Sequence, residues 1–374
     1  MRIRSYSDLY KKLVGLHARI PYHISPKKAL RPLQAFFEVT YRCNLRCEMC
    51  QFNEFFEQNQ KAAGTLGELS TDEIRGIIRQ VPRYSLLSFS GGEPFLRSDL
   101  LEILEWASSR NTTHVITNGT LVSEEKAKRL AELGTESLGT KGLVLVGVSI
   151  QGDESLHDGI TGSSGSYHSA CKTVEMIRYY RDRLGKKYPL INIKTVITRK
   201  TVGVLDQMFD LAERLGADIC NLLTMNSALD FYCRLARLED MDRIRAWANT
   251  PAVPEQLDVG LLDAMLEKVE ERAAASRVQL RLSPQGVPRQ ELVDFHRDRL
   301  NLARYACFMP WSKVFISAYG DVLICFNQWV GSLRESSLAE LWMAPKMMRF
   351  RQMLHDAGIF PACAGCCQSE RSGD

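Results

Sequence analysis

No stretch of this sequence approaches the ~18 apolar residues of a membrane-spanning helix. The N-terminus also lacks the unbroken apolar core of ~7–15 residues that an export signal carries, because Arg2, Arg4, Lys11, Lys12 and Arg19 interrupt it. A cytoplasmic location is therefore the expectation. Charge of one sign is missing as well: 48 Lys and Arg stand against 44 Asp and Glu, a formal +4 with no long basic run. That balance argues against dedicated electrostatic capture of nucleic acid, and no nucleic-acid partner is expected. No internal repeat or low-complexity tract stands out. With 45% hydrophobic and 25% charged residues the composition excludes collagen-like, coiled-coil and wholly disordered chains. The 374 residues suffice for a sizeable core and for about two or three domains.

What is present in excess is cysteine, with eleven in the chain. Three fall at Cys43, Cys47 and Cys50, and three more at Cys363, Cys366 and Cys367. In a cytosolic chain thiols stay reduced, so close spacing points to metal binding or redox chemistry before disulfides. Cys171, Cys220 and Cys233 stand apart from these groups and are read as small buried residues.

Apolar, β-branched runs alternate with helical stretches, the pattern of parallel strands with crossover helices. Strands are expected near Phe36–Thr40, Leu86–Ser90, His114–Thr117, Leu143–Ile150, Ile191–Thr198 and Asp218–Thr224. Helices are expected between them at Thr71–Gln80, Asp99–Ser109, Ser123–Leu133, Tyr167–Leu184 and Val204–Leu215. Six such units make either an open doubly wound sheet or most of a (β/α) barrel, and periodicity does not choose between them. Residues 251–304 turn polar and helical and read as a connector. A hairpin then follows, Lys313–Ser317 and Val322–Phe326 around Gly320, with one helix expected over Leu338–Gln352. Ser5–Ile20 forms a basic amphipathic helix with Leu9, Leu13, Leu16 and Ile20 on one side, suited to packing on the barrel or to a membrane or lipid-like surface.

The spacing Cys43-x3-Cys47-x2-Cys50 follows the first expected strand directly. Three thiolates on one loop can hold three irons of a [4Fe–4S] cube and leave the fourth iron open. A structural zinc ordinarily takes four ligands, and no fourth Cys or His lies nearby. After the second strand comes Gly91-Gly92-Glu93-Pro94, where a glycine pair permits close approach of backbone and Glu93 offers a negative charge.

These motifs resemble the radical S-adenosylmethionine (SAM) superfamily, whose three-cysteine loop follows the first strand of a partial (β/α)6 barrel. The resemblance implies that Cys43, Cys47 and Cys50 hold the cluster and that Gly91, Gly92, Glu93 and Pro94 bind the methionyl amino group of SAM. Thr117 and Asn118, ending the third strand, and Ser149 and Gln151, ending the fourth, are implied as further SAM contacts. Departures accompany the match: Met49 stands where an aromatic is common, Gln151 where Asp is common, and Thr161 where Arg is common. The contact to the SAM carboxylate then falls to another cation, with Lys194 and Arg199 of the right charge. The C-terminal segment resembles the twitch and SPASM extensions of the same enzymes, which implies that Cys307, Cys325, Cys363 and Cys366 hold one auxiliary [4Fe–4S] cluster. Cys367 competes with Cys366, and a zinc ion is the alternative to iron and sulfur.

The fold class implied is α/β, a partial (β/α)6 TIM-like barrel with a small C-terminal domain of β-hairpin and helix. Expected boundaries are a helical extension at 1–34, the barrel at 35–250, the connector at 251–304 and the auxiliary-cluster domain at 305–374. The implied activity is reductive cleavage of SAM to a 5′-deoxyadenosyl radical that abstracts hydrogen from a substrate. That substrate is a peptide or a small natural-product or sugar-like molecule, with a lipid as an alternative, and flavodoxin or ferredoxin is the implied electron donor. No side chain is singled out as a catalytic acid, base or nucleophile, since the cofactors carry the chemistry. From a different class, an iron–sulfur electron carrier or sensor remains the alternative, although a carrier has no need of Glu93 in its motif.

Overall fold

A computed structural model describes residues 6–50, 67–137, 141–225, 241–284, 287–325 and 328–371. The chain begins with helix α1 (Tyr6–Ile24) and strand β1 (Gln34–Thr40). It then alternates α2 (Thr71–Gln80), β2 (Leu86–Gly91), α3 (Leu100–Ser108), β3 (Thr112–Thr117), α4 (Glu124–Glu132) and β4 (Gly142–Ser149). Helices α5 (Glu154–Thr161) and α6 (Ser166–Arg183) lead to β5 (Leu190–Ile197), α7 (Leu205–Leu215) and β6 (Ile219–Thr224). Local chemistry sets the helix starts. Ser70 and Glu73 form a reciprocal capping box on α2, and the Ser123 and Asp153 side chains cap α4 and α5.

Strands β1 to β6 lie in the sheet in their order along the chain, each parallel to the next. A doubly wound sheet reverses its order at a switch point, whereas sequential order is that of a partial barrel. One face of these strands is mostly apolar and carries the helices: Phe37, Leu87, Val115, Val146, Ile193 and Leu222 are buried there. Alternate residues on the other face are polar and half-exposed or buried, including Ser88, His114, Asn192, Lys194 and Asn221.

The expected connector contains more than helices. Helices α8 (Met241–Ala248) and α9 (Val259–Ala275) are followed by β7 (Gln279–Ser283), which pairs in parallel with β6 and extends the sheet by a seventh strand. After α10 (Arg289–His296), the short strand β8 (Tyr305–Ala306) precedes β9 (Lys313–Ile316), β10 (Asp321–Ile324) and β11 (Gln328–Ser332). The expected hairpin is β9–β10, although Phe326 lies outside the described residues. Strand β9 pairs in parallel with β1, so the ten-stranded sheet reads β11-β10-β9-β1-β2-β3-β4-β5-β6-β7. The C-terminal hairpin is thus continuous with the barrel sheet.

The single helix expected over Leu338–Gln352 is two, α11 (Leu338–Trp342) and α12 (Pro345–Ala357). Pro345 has no N–H to continue the first helix and suits the first turn of the second. Arg351 on α12 is fully buried, stacks on Trp342 and donates to the carbonyls of Pro310 and Trp342, tying the C-terminal helix to the segment before β9. Strand β12 (Glu370–Arg371) pairs antiparallel with β8 and returns the chain end to the neighbourhood of Cys307.

Of the apolar stripe expected on α1, the side chains of Leu9 and Leu13 lie outside the described residues. Leu16 and Ile20 are 52% and 49% exposed. The helix docks instead through Ala18 and Tyr22, the ring of Tyr22 lying against Phe308, Trp311 and His355, with the Arg19 guanidinium over Phe308. No helix of the described residues is long and apolar enough to cross a membrane.

Glu38 on β1 is buried and accepts a hydrogen bond from Tyr41 Oη at 2.7 Å. Burial pushes its carboxyl from 4.5 up to about 7, the Tyr41 hydrogen bond opposing this only in part. Between those two values the folded chain holds a proton that the unfolded chain has lost, so stability falls as pH rises through the window. Glu38→Gln should therefore flatten the loss in urea midpoint between about pH 5 and about pH 8. An equally steep loss in the variant would show that Glu38 is ionised throughout.

Candidate functional site

The three-cysteine loop leaves the end of β1 and is strapped on two sides by backbone hydrogen bonds. Arg46 N donates to Thr161 O at 3.1 Å and Glu48 N to Ile160 O at 3.0 Å, fixing the loop to the end of α5. Opposite, Gly92 N donates to Thr40 O and Glu93 N to Arg42 O, both at 2.8 Å. This second strap explains the glycine pair. A Cβ on Gly91 would stand 2.2 Å from Thr40 O, and one on Gly92 2.2 Å from Arg42 O. The close approach that the sequence suggested for a ligand is made by the cysteine loop itself.

Glu93 is fully buried at the centre of this arrangement. Its carboxylate accepts from Phe95 N at 3.0 Å, Thr117 Oγ1 at 2.8 Å and Asn118 N at 2.7 Å, so it joins the end of β2 to the end of β3. Three donors leave one lone-pair direction of the carboxylate unused. Burial raises its proton affinity, and these three hydrogen bonds work against the rise. Pro94 opens the short 3₁₀ turn capped by Glu93.

Asn118 reaches the cysteine loop from the other strand. Its Nδ2 donates to Asn44 Oδ1 at 3.0 Å, and Asn44 Nδ2 donates to Thr120 Oγ1 at 2.8 Å. Ser149 ends β4 half-buried on the interior face, and its hydroxyl has no hydrogen-bond partner among the described residues. Gln151 differs. It is buried, with Oε1 accepting from Val196 N at 2.9 Å and Nε2 against Lys194 O at 3.5 Å, so its amide is spent on the backbone of β5. His157 Nδ1 accepts from Gln151 N at 3.0 Å, which holds that ring neutral; burial brings its pKa down to about 4.

The two cations suggested for the SAM carboxylate occupy different places. Arg199 is exposed and faces Glu255 at 3.8 Å beside a cleft of about 130 Å³ that Glu48, Met49 and Lys200 also line. Lys194 points into the barrel interior. Thr161, standing where Arg is common, is buried and hydrogen-bonded to Ser166.

The fold gathers the C-terminal cysteines from distant segments. Cys307 follows β8, Cys325 follows β10 with a positive φ of 55°, and Cys363 and Cys366 lie in the terminal turns. Cys363 is within electrostatic reach of Cys307 and Cys325, and Cys366 of Cys325 and Cys363. The hydrogen bond with Cys366, and after it Gln368 and the charges of Lys313 and Lys194, draw the Cys367 thiol down to about 6 against the effect of burial. Of the three isolated cysteines, Cys220 is fully buried on β6, Cys171 is half-buried on α6, and Cys233 lies outside the described residues.

Both groups suit iron–sulfur clusters. Burial, aided by neighbouring sulfurs, pushes the Cys47 thiol up to about 12 and Cys307 up to about 11 and raises Cys363; burial and Glu93 raise Cys43, and the hydrogen bond with Cys367 followed by burial raises Cys366. Bare thiolates are therefore disfavoured at both places, and a bound cationic cluster is what would hold them deprotonated. Among the described residues no three His, Cys, Asp or Glu side chains converge on a single metal ion. Thiolates distributed over separate irons of a cube have no need to do so.

A sequentially wound parallel sheet, a cysteine loop at its strand ends and a second cysteine group gathered by the last segment define an iron–sulfur α/β protein of the partial-barrel kind. Residues 37–191 match the radical SAM superfamily, and residues 307–367 match the SPASM iron–sulfur cluster-binding domain. The chain carries a radical SAM superfamily domain and that C-terminal cluster-binding domain, which together imply a SAM-binding [4Fe–4S] cluster, SAM and an auxiliary cluster as its cofactors.

Similar proteins include the tungsten-containing aldehyde ferredoxin oxidoreductase cofactor-modifying protein of Pyrococcus furiosus, 23% identical over 88% of this chain and 86% of the relative. The AdoMet-dependent heme synthase of Oleidesulfovibrio alaskensis is 27% identical over 56% of this chain, and the PqqA peptide cyclase of Rhodopseudomonas palustris 31% identical over 50%. The chain spans about half the length of these last two, 51% and 45%. Among solved structures, Streptococcus suis SuiB superposes with a TM-score of 0.61 at 16% identity, covering 98% of this chain and 79% of SuiB. Native anSMEcpe with bound AdoMet and a Cp18Cys peptide superposes at 0.58 and 16% identity, covering 87% of this chain and 83% of that one. At such identities the likeness establishes the fold.

Proposed function

We propose that the protein is a radical SAM enzyme that modifies a peptide or a small natural-product or sugar-like molecule oxidatively. The observation that carries this reading is the locked unit around Glu93, which joins the cysteine loop to the ends of β2 and β3. When bound, the reduced cluster and SAM supply a 5′-deoxyadenosyl radical able to take hydrogen from an unactivated carbon.

The chain's own residues do the rest. Cys43, Cys47 and Cys50 hold three irons and leave the fourth open to SAM. Gly91, Gly92 and Pro94 shape the backbone beside it, and Glu93 supplies negative charge to the methionyl ammonium. Thr117 and Asn118 fix that carboxylate and brace the loop, Ser149 offers a free hydroxyl, and Gln151 positions the β4 end through β5. Cys307, Cys325, Cys363 and Cys366 hold the auxiliary cluster, whose four protein ligands suit it to carrying electrons away from an oxidised substrate. The zinc alternative is disfavoured by the SPASM match. A peptide substrate draws support from the peptide-directed relatives, and a flavodoxin or ferredoxin fits as electron donor in a reducing cytoplasmic setting.

Adding SAM to the reduced protein should change the electron paramagnetic resonance signal of the first cluster, because the open iron gains ligands. An unchanged signal would favour a simple electron carrier. Glu93→Gln should leave that cluster's own signal intact and weaken SAM binding roughly ten- to a hundred-fold, the cost of about 1.5–3 kcal/mol for a charge-assisted hydrogen bond. Undiminished SAM affinity would remove Glu93 from the binding role.

A further inference from the structure

The barrel interior carries two cations, Lys194 and Arg281, in one row of side chains. Lys194 on β5 is register partner to Ser149 on β4 and to Asn221 on β6, and Asn221 is partner to Arg281 on β7. Register partners on neighbouring parallel strands stand ~4.8 Å apart and share a face, so these four side chains form one row across the interior. His114 on β3 and Asn192 on β5 share that face. A Cβ on Gly147 would lie 3.0 Å from Lys194 Cδ and 3.7 Å from His114 Nε2, which puts the lysine stem and the imidazole around one spot. Because Gly147 precedes Ser149 on β4, the Lys194 stem runs back into the barrel, away from the strand ends where the cysteine loop attaches.

Asn221 Oδ1 accepts from Ser283 Oγ at 3.1 Å and His114 Nδ1 pairs with Ser88 Oγ at 3.3 Å, but other polar atoms here lack partners. His114 Nε2, Asn192 Oδ1 and Arg281 Nε are buried without a hydrogen bond, in residues of which His114 is 9% and Asn192 2% exposed. Lys194 Nζ makes no hydrogen bond or ion pair with any described residue, and Arg281 reaches only Gln279 Oε1 at 3.3 Å. Burial, joined by the charges of Lys194 and Arg281, brings the His114 ring's pKa down to about 3, and burial and Arg281 lower that of Lys194 against the opposing influence of Cys367. Lys194 and Arg281 are half-buried, with the Cys367 sulfur the one group of opposite sign bearing on Lys194 and none on Arg281, so an anion joining them would offset the cost of their burial.

We propose that Lys194, Asn221 and Arg281, with His114 and Asn192 beneath them, bind an oxyanion of the substrate, a carboxylate or a phosphate, inside the barrel. The inference rests on the radical SAM reading for the meaning of substrate. It restricts the substrate class to molecules carrying such a group.

The test uses the holoprotein with both clusters reconstituted, and inorganic phosphate and acetate as probes. Paramagnetic relaxation of phosphate ³¹P and of acetate ¹³C is titrated with and without saturating SAM. At least one anion should bind saturably while SAM stays bound. Lys194→Gln and Arg281→Gln should each weaken it fivefold or more with iron content unchanged, and Lys194→Arg should restore most of the binding. Phosphate alone would identify a phosphoester, acetate alone a carboxylate. Failure of both anions to saturate would overturn the site. So would their stoichiometric displacement by SAM, which would assign Lys194 to the SAM carboxylate. Loss of SAM binding in the parent protein would instead strike the radical SAM reading and leave the anion titration interpretable.

Discussion

Alanine at Cys43, Cys47 and Cys50 together should lower the iron content from about eight to about four per chain and abolish SAM cleavage, while the protein still folds. The three thiols lie on a loop outside the main core, and the strapping of that loop runs through backbone atoms of Thr40, Arg42, Ile160 and Thr161. Unfolding should therefore occur near the parent midpoint. The barrel strands carry their own apolar face, from Phe37 to Leu222, independent of these sulfurs. Iron analysis with the visible absorbance of the cluster, set beside far-ultraviolet circular dichroism, separates loss of a ligand set from loss of fold. Retention of iron and of cleavage in the triple variant would remove the assignment.

The second large effect lies at the other end of the chain. Replacing Cys307, Cys325, Cys363 and Cys366 should leave about four irons and SAM cleavage uncoupled from substrate, but no turnover of the true substrate. An electron remains after hydrogen is taken from a substrate, and an oxidised product needs somewhere for it to go. This variant has a structural cost that the first lacks, because Cys307 and Cys363 pack against the core. Fold integrity is read from the first cluster, which survives only on an intact barrel. Single substitutions divide Cys366 from Cys367. Cys366 is within electrostatic reach of Cys325 and Cys363, whereas Cys367 reaches Cys307 and the lysines Lys194 and Lys313, so Cys366→Ala should lose the auxiliary cluster and Cys367→Ala should keep it. Four irons and one zinc in the parent protein would overturn the redox role.

The sequence discloses the barrel where burial and alternation coincide. Strands β1 to β6 are apolar on the helix side and stand out as β-branched runs, and the capped helices between them follow from Ser70 and Ser123. Strand β7 escaped because Gln279-Leu280-Arg281-Leu282-Ser283 is short, half polar and followed by Pro284. Its polar positions face the interior instead of solvent, which only the pairing with β6 reveals. The division of α11 from α12 hung on Pro345, plainly visible inside a periodic pattern that continues across it.

At the site, residue types were legible and their partners were not. Gly91 and Gly92 signal close approach, but only the structure shows that the approaching group is the backbone of Thr40 and Arg42. The amide of Gln151 is spent on β5, a use that depends on register. Leu16 and Ile20 form a clean helical stripe, yet α1 docks through Ala18 and Tyr22 because a cluster of rings awaits Tyr22. The cation row is invisible in sequence, since Lys194, Asn221 and Arg281 come from three separate strands.

The most direct test of the central claim is anaerobic reduction of the reconstituted protein with dithionite in the presence of SAM, followed by chromatographic assay of 5′-deoxyadenosine and methionine. The account predicts both products in equal amounts, dependent on reductant and absent from the Cys43, Cys47, Cys50 triple variant. Full iron loading at both sites with no 5′-deoxyadenosine above the unreduced control would contradict it.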